Sequence, residues 1–261
     1  MAVIQLEFLS QILGEVINVS AVIPTSGSGR ELVENGDRFK VIYLLHGGGD
    51  DSNAFLRNTG IERYSEQGNF AVIMPEVRNS YYCDMRYGLR FFTYLSEELP
   101  RVTENLFPIS GRRDDHFVLG YSMGAQGAIK WALKKPGFFS AVAGLSGIGD
   151  LEDFGFGDRF ENRDPACAFI AAYKSLEDYR NSSENVKHLA AELVKSGKEI
   201  PRIFSCCGTE DFAFEGCVKF AEYAKQVGIP ITFEAGPGEH TFAFWEYWVR
   251  YAVQWFGLGE V

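Results

Sequence analysis

Gly120-Tyr121-Ser122-Met123-Gly124 carries the first chemical signal in this chain. A serine with a glycine two residues before it and another two after it can stand at the apex of a tight turn, where two backbones crowd and larger side chains would clash. The apolar run His116-Phe117-Val118-Leu119 precedes the turn, and a helix-like stretch, Gln126 to Leu133, follows it. Strand, turn and helix with a serine at the apex predict an exposed nucleophile. A serine hydroxyl attacks only when a base removes its proton, so the four histidines, His46, His116, His188 and His240, come next. His188 falls mid-helix among polar residues, which suits a solvated surface. His116 opens the strand that leads to Ser122, at its far end, whereas a parallel sheet gathers its site at the carboxyl ends of its strands. His46 follows a strand at the correct end, but glycines enclose it, a setting for bracing a loop. His240 sits in Gly236-Pro237-Gly238-Glu239-His240, between the last strand and the last helix, and is the expected general base.

An acid should orient that imidazole and stabilise its protonated form. Asp150, Asp153, Asp158, Asp164 and Asp178 lie in or near an irregular stretch. Glu210 and Asp211 instead follow an apolar run, Pro201 to Cys207, through Gly208-Thr209. Asp211 is favoured, with Glu210 as its rival. The developing oxyanion needs two backbone N–H donors. Met123, directly after the serine, supplies one. The glycine run after His46 supplies the other, with Gly48 the choice and Gly47 and Gly49 its neighbours. The glycines lack a following Gly-Lys-Ser/Thr, so they do not read as a phosphate loop.

The elements that must position these residues follow from periodicity. Val3–Leu9 and Glu15–Ile23 alternate, predicting antiparallel strands, with turn-rich connectors at 25–29 and 34–37. Continuous apolar runs at Phe39–Leu45 and Phe70–Met74 predict strands buried on both faces. Ile61–Gln67 reads as a short helix, 77–88 as a loop and Leu89–Leu106 as a long amphipathic helix. Further strands are expected at Ser140–Leu145, Pro201–Cys207 and Ile229–Glu234. Helices are expected at Val186–Val194 (stopped by Gly197), Glu215–Gln226 and Thr241–Phe256. Residues 149–181 break the alternation and form a candidate lid or pocket wall. The pattern predicts an α/β fold: a mostly parallel central sheet, antiparallel strands at the N-terminus and helices on both faces, in one domain over 1–261.

Composition narrows the partners. A net charge of −10 with no basic cluster opposes nucleic acid binding. No apolar run reaches membrane-spanning length. Five scattered cysteines, Cys83, Cys167, Cys206, Cys207 and Cys217, fit neither a disulfide frame nor a zinc site, and the N-terminus shows no export signal. Cytoplasmic residence is the simplest expectation. The sequence leaves homo-oligomerisation open.

Five segments together resemble one family. They are Tyr43-Leu44-Leu45-His46-Gly47, Tyr87-Gly88 with Glu97-Glu98-Leu99-Pro100, the Ser122 pentapeptide, Gly208-Thr209-Glu210-Asp211-Phe212, and Gly238-Glu239-His240-Thr241-Phe242 with Trp245. Their order and spacing are similar to the esterase D-like α/β-hydrolases, which include tributyrin esterases and S-formylglutathione hydrolases, with the small tributyrin type the nearest likeness. The resemblance implies an α/β-hydrolase fold and Ser122, Asp211 and His240 as the triad. It also implies Gly48 as an oxyanion donor and cofactor-free, metal-free hydrolysis of a small-molecule ester with an acetyl to butyryl chain. Acetylated sugars, S-formylglutathione and transfer to an alcohol belong to the same chemistry; a non-catalytic module on this fold is the alternative of a different class. Three positions depart from the usual family pattern: Gly48, Ala125 and Phe242.

Overall fold

The computed structural model describes residues 1–25, 27–154 and 168–261. Eight strands form one sheet: β1 (Ala2–Leu9), β2 (Val16–Ile23), β3 (Lys40–Leu45), β4 (Phe70–Pro75), β5 (His116–Tyr121), β6 (Ala141–Leu145), β7 (Arg202–Gly208) and β8 (Ile231–Gly236). Their spatial order is β1-β2-β4-β3-β5-β6-β7-β8. β2 runs antiparallel to both β1 and β4, and every other neighbouring pair is parallel. The expected sheet, with its antiparallel N-terminal strands, is therefore present.

Burial on both faces explains the continuous apolar runs. In β3, Val41, Tyr43 and Leu45 pack into the core on one face, while Ile42 and Leu44 pack into the core on the other. The first core is closed by the helix Met123–Lys134, with Ala125, Ala128, Ile129 and Trp131, and by the helices Val186–Ser196 and Phe214–Val227. The second is closed by Ile61–Gly68 and by Phe242–Trp255, which contributes Phe244, Trp245, Val249, Ala252 and Val253. Each fully buried aliphatic side chain contributes roughly 1.5–3 kcal/mol. Gly197 ends the helix Val186–Ser196 in a left-handed conformation, and the Asn185 side chain caps its start.

Three local features differ from the sequence reading. Ser28–Glu34 is a short helix that overlaps the expected connectors at 25–29 and 34–37, and Ala54–Asn58 is a second short helix in a stretch to which the sequence assigned no element. Flanking glycines and short length hide the first; Leu32 packing against the core gives it its hold. The expected helix Leu89–Leu106 begins at Phe91 and contains a π-helical turn, Tyr94–Glu98, before Leu99–Leu106. Pro100 has no N–H to give the preceding turn, and a widened turn accommodates its ring. Within the irregular stretch, Ala168–Tyr173 and Leu176–Arg180 are helical. Asp158, Asp164, Phe156, Phe160 and Cys167 lie outside the described residues.

The registers set up the site. Gly120 at the end of β5 lies between Leu45 of β3 and Gly144 of β6. Ser122 thus emerges between the loops that follow both neighbours. Gly208 pairs with Gly236 at the ends of β7 and β8, so the loops carrying Asp211 and His240 leave the sheet side by side.

Candidate active site

Ser122 occupies a strained turn, with φ 53° and ψ −122°. A non-glycine residue held there costs of order 1–3 kcal/mol and persists only where its surroundings enforce it. The Ser122 N–H donates to Leu145 O at 2.8 Å. The neighbouring glycines allow the close approach: a Cβ on Gly124 would stand 2.0 Å from Leu45 O, and one on Gly147 would stand 2.2 Å from Ser122 O. Ser122 also holds the N-cap position of the helix Met123–Lys134 without a side-chain capping bond, so its hydroxyl lies at the positive end of the helix dipole.

The two loops at the end of the sheet are fastened to each other. Thr209 N–H donates to Gly236 O at 2.9 Å and Glu210 N–H to Gly238 O at 3.1 Å. The Glu210 carboxylate accepts the Gly238 N–H at 2.5 Å, a contact that holds it below the usual carboxylate range. Glu210 is thereby spent on bracing the histidine loop. Asp211 turns inward instead and faces His240 Nδ1 with both carboxylate oxygens at 2.9 Å. His240 Nε2 lies 2.8 Å from Ser122 Oγ. With Nδ1–H donating to Asp211, Nε2 presents its lone pair to the serine hydroxyl. Burial pushes the Asp211 carboxyl upward, but the His240 hydrogen bond, the Ala213 N–H at 2.8 Å and the Ser146 hydroxyl help to bring it below its ordinary value. It stays ionised at neutral pH.

Packing fixes the imidazole. The ring of Phe212 lies 4.5 Å from it and that of Trp245 4.8 Å, nearly edge-on. The Trp245 indole N–H donates to Ser146 Oγ at 3.0 Å. Ser146, itself left-handed at φ 54°, was not singled out from the sequence. Its only signal there is its place directly after a strand beside the one that carries Ser122.

The glycine loop after β3 is held from several sides. His46 donates through Nδ1 to Gly47 O at 2.8 Å and accepts the Val77 N–H at Nε2 at 3.2 Å. Tyr82 OH donates to His46 O at 2.8 Å. Asn79 Oδ1 accepts the Gly49 N–H at 2.7 Å, and Tyr121 OH donates to Asp50. The bracing position read for His46 matches these bonds. Among the described residues, the Gly48 and Met123 N–H groups have no protein acceptor. Both residues line one cavity with Ser122, Gln126, Leu151 and Phe154. His116 is buried at the opposite end of the sheet and His188 is exposed on its helix. Among the described residues, no group of three or more His, Cys, Asp or Glu side chains is placed to hold a metal ion. Among them, too, no helix is long and apolar enough to cross a membrane.

Comparison with known proteins agrees in family and in fold. Residues 10–250 match the Esterase family, described as "Putative esterase". An acetyl esterase of Caldicellulosiruptor saccharolyticus is 26% identical over 260 residues, covering 98% of each chain. The substrate-bound structure of FphF, a fluorophosphonate-binding serine hydrolase of Staphylococcus aureus, is 30% identical with a TM-score of 0.88, covering 99% of this chain and 98% of that one. The apoenzyme of an S-formylglutathione hydrolase, FrmB, from Staphylococcus aureus is 29% identical with a TM-score of 0.87, covering 99% of each chain. The chain belongs to this esterase family: it is an esterase D-like α/β-hydrolase and a carboxylic ester hydrolase of the serine type.

Proposed function

We propose that Ser122, His240 and Asp211 form the catalytic triad of a short-chain acyl esterase that works through an acyl-serine intermediate. One observation carries this reading: the unbroken chain from Asp211 through both His240 nitrogens to Ser122 Oγ. Ser122 Oγ attacks the ester carbonyl while His240 Nε2 takes its proton. The Gly48 and Met123 N–H groups receive the oxyanion, aided by the helix end beneath Met123. His240 then passes the proton to the leaving alcohol, and water repeats the cycle on the acyl-enzyme. Asp211 keeps the imidazole in the productive tautomer throughout.

The substrate reading is acetyl to butyryl esters, acetylated sugars included. The acetyl esterase relative and a cavity of about 310 Å³ lined mainly by apolar side chains support it. The likeness to the S-formylglutathione hydrolase supports a second reading, thioester hydrolysis, which a direct assay with that substrate separates. An acyltransferase would release transferred ester in place of free acid when alcohols are present. We further propose a single domain over 1–261 with 149–181 as its pocket wall, and a cytoplasmic setting. The buried free thiols of Cys83, Cys206, Cys207 and Cys217 support that setting. A fluorophosphonate probe tests the site. The expected adduct maps to the peptide bearing Ser122; an adduct on any other serine, or none, contradicts the assignment.

A further inference from the structure

Gln126 stands out within the cavity. It is 1% exposed, and neither its Oε1 nor its Nε2 has a hydrogen-bond partner. Among the described residues it is the only amide side chain with both polar atoms buried and unpartnered. Buried amides are almost always satisfied, so an orphaned one at a binding cavity calls for a ligand group that completes it. Gln126 lies one helical turn after Ser122, and its N–H donates to Ser122 O at 3.3 Å. Helical geometry tilts its Cα–Cβ bond toward the helix N-terminus, and so toward the serine. Asn79, Tyr81, Ser122 and Ser146 also line the cavity, yet neither polar atom of the Gln126 amide bonds to any of them.

Which half of the ester meets Gln126 follows from the proposed mechanism, on which this inference rests. The leaving alcohol must take its proton from His240 Nε2, on the side where Phe212 is exposed. The acyl group stays on Ser122, in the cavity that Gln126 lines. An amide both donates and accepts, and among the described residues no cationic side chain lines the cavity. The matching group is therefore neutral and does both as well: a hydroxyl. We propose that Gln126 is a specificity-determining residue that recognises a hydroxyl on the acyl chain, so that short hydroxyacyl esters are preferred over plain alkanoyl esters.

The test compares p-nitrophenyl 3-hydroxybutyrate, as each enantiomer, with p-nitrophenyl butyrate, in the wild type, Gln126→Met and Gln126→Leu. The wild type should favour one hydroxy ester in kcat/KM. The ratio of hydroxy ester to butyrate should fall about tenfold to a hundredfold in both variants, the range for leaving a buried polar group unpaired. Thermal melting gives an independent reading. An amide waiting for substrate makes Gln126→Met melt higher than the wild type, whereas an amide with a structural partner makes it melt lower, which overturns the proposal. An unchanged ester ratio with Ser122→Ala inactive overturns the proposal alone. Near wild-type turnover by Ser122→Ala overturns the underlying mechanism and the proposal with it.

Discussion

At the scale of single residues, adjacent positions divide the work. Glu210 and Asp211 are both carboxylates after the same strand, and the sequence leaves them as rivals. The turn through Gly208 separates them: Glu210 accepts from the histidine loop's backbone, while Asp211 points under the imidazole. If Asp211 sets the tautomer, Asp211→Asn keeps the shape and loses the function. Its kcat on p-nitrophenyl acetate should drop about 10³–10⁴-fold, as for a triad acid replaced by its amide. Acid titration offers a second reading. Because the folded-state value of Asp211 is lowered, its contribution to stability is present above the ordinary aspartate value near 3.9 and is lost as pH falls through the lower folded value. Chemical denaturation at descending pH should therefore show a steeper loss for the wild type than for Asp211→Asn. Parallel curves would mean that the carboxylate is not held as described.

At the scale of elements, the site depends on backbones that nearly touch. Gly124 sits against the carbonyl of Leu45, and rigid main chain cannot yield to a methyl group as a side-chain tip can. Gly124→Ala should cost more than about 2 kcal/mol in urea unfolding, beyond the middle of the overpacking range. Gly137→Ala, with nothing within 4 Å of its added Cβ, should stay within about 0.5 kcal/mol. Equal costs at the two sites would remove the steric argument for the turn. The same elements show what a sequence can disclose. β3, β4 and β5 are legible because burial on both faces leaves unbroken apolar runs, and the Ser122 turn is legible because crowding demands glycine. The helix Ser28–Glu34 is not, since it is short and glycine-flanked. The π-helical turn at Tyr94–Glu98 is equally hidden, since apolar spacing survives one widened turn. Ser146 and Gln126 are invisible for another reason: their importance lies in which distant side chains surround them.

For the whole molecule, one sheet brings the parts of the site together. Ser122 follows β5 at its centre, the glycine loop follows β3, and Asp211 and His240 follow β7 and β8. All leave at carboxyl ends, so residues up to 118 positions apart in sequence meet within hydrogen-bond reach. The family match, the structural likeness and the net charge of −10 concern this body as a whole: an acidic α/β-hydrolase of the esterase family. The central claim is that a single hydroxyl at its crest performs the acyl transfer. The most direct measurement is kcat of Ser122→Ala on p-nitrophenyl acetate, with the variant's unfolding transition shown to match the wild type. A loss of about 10⁴–10⁶-fold is expected, or roughly 5–8 kcal/mol of barrier at ~1.36 kcal/mol per decade. A folded variant that keeps most of its turnover would contradict the account.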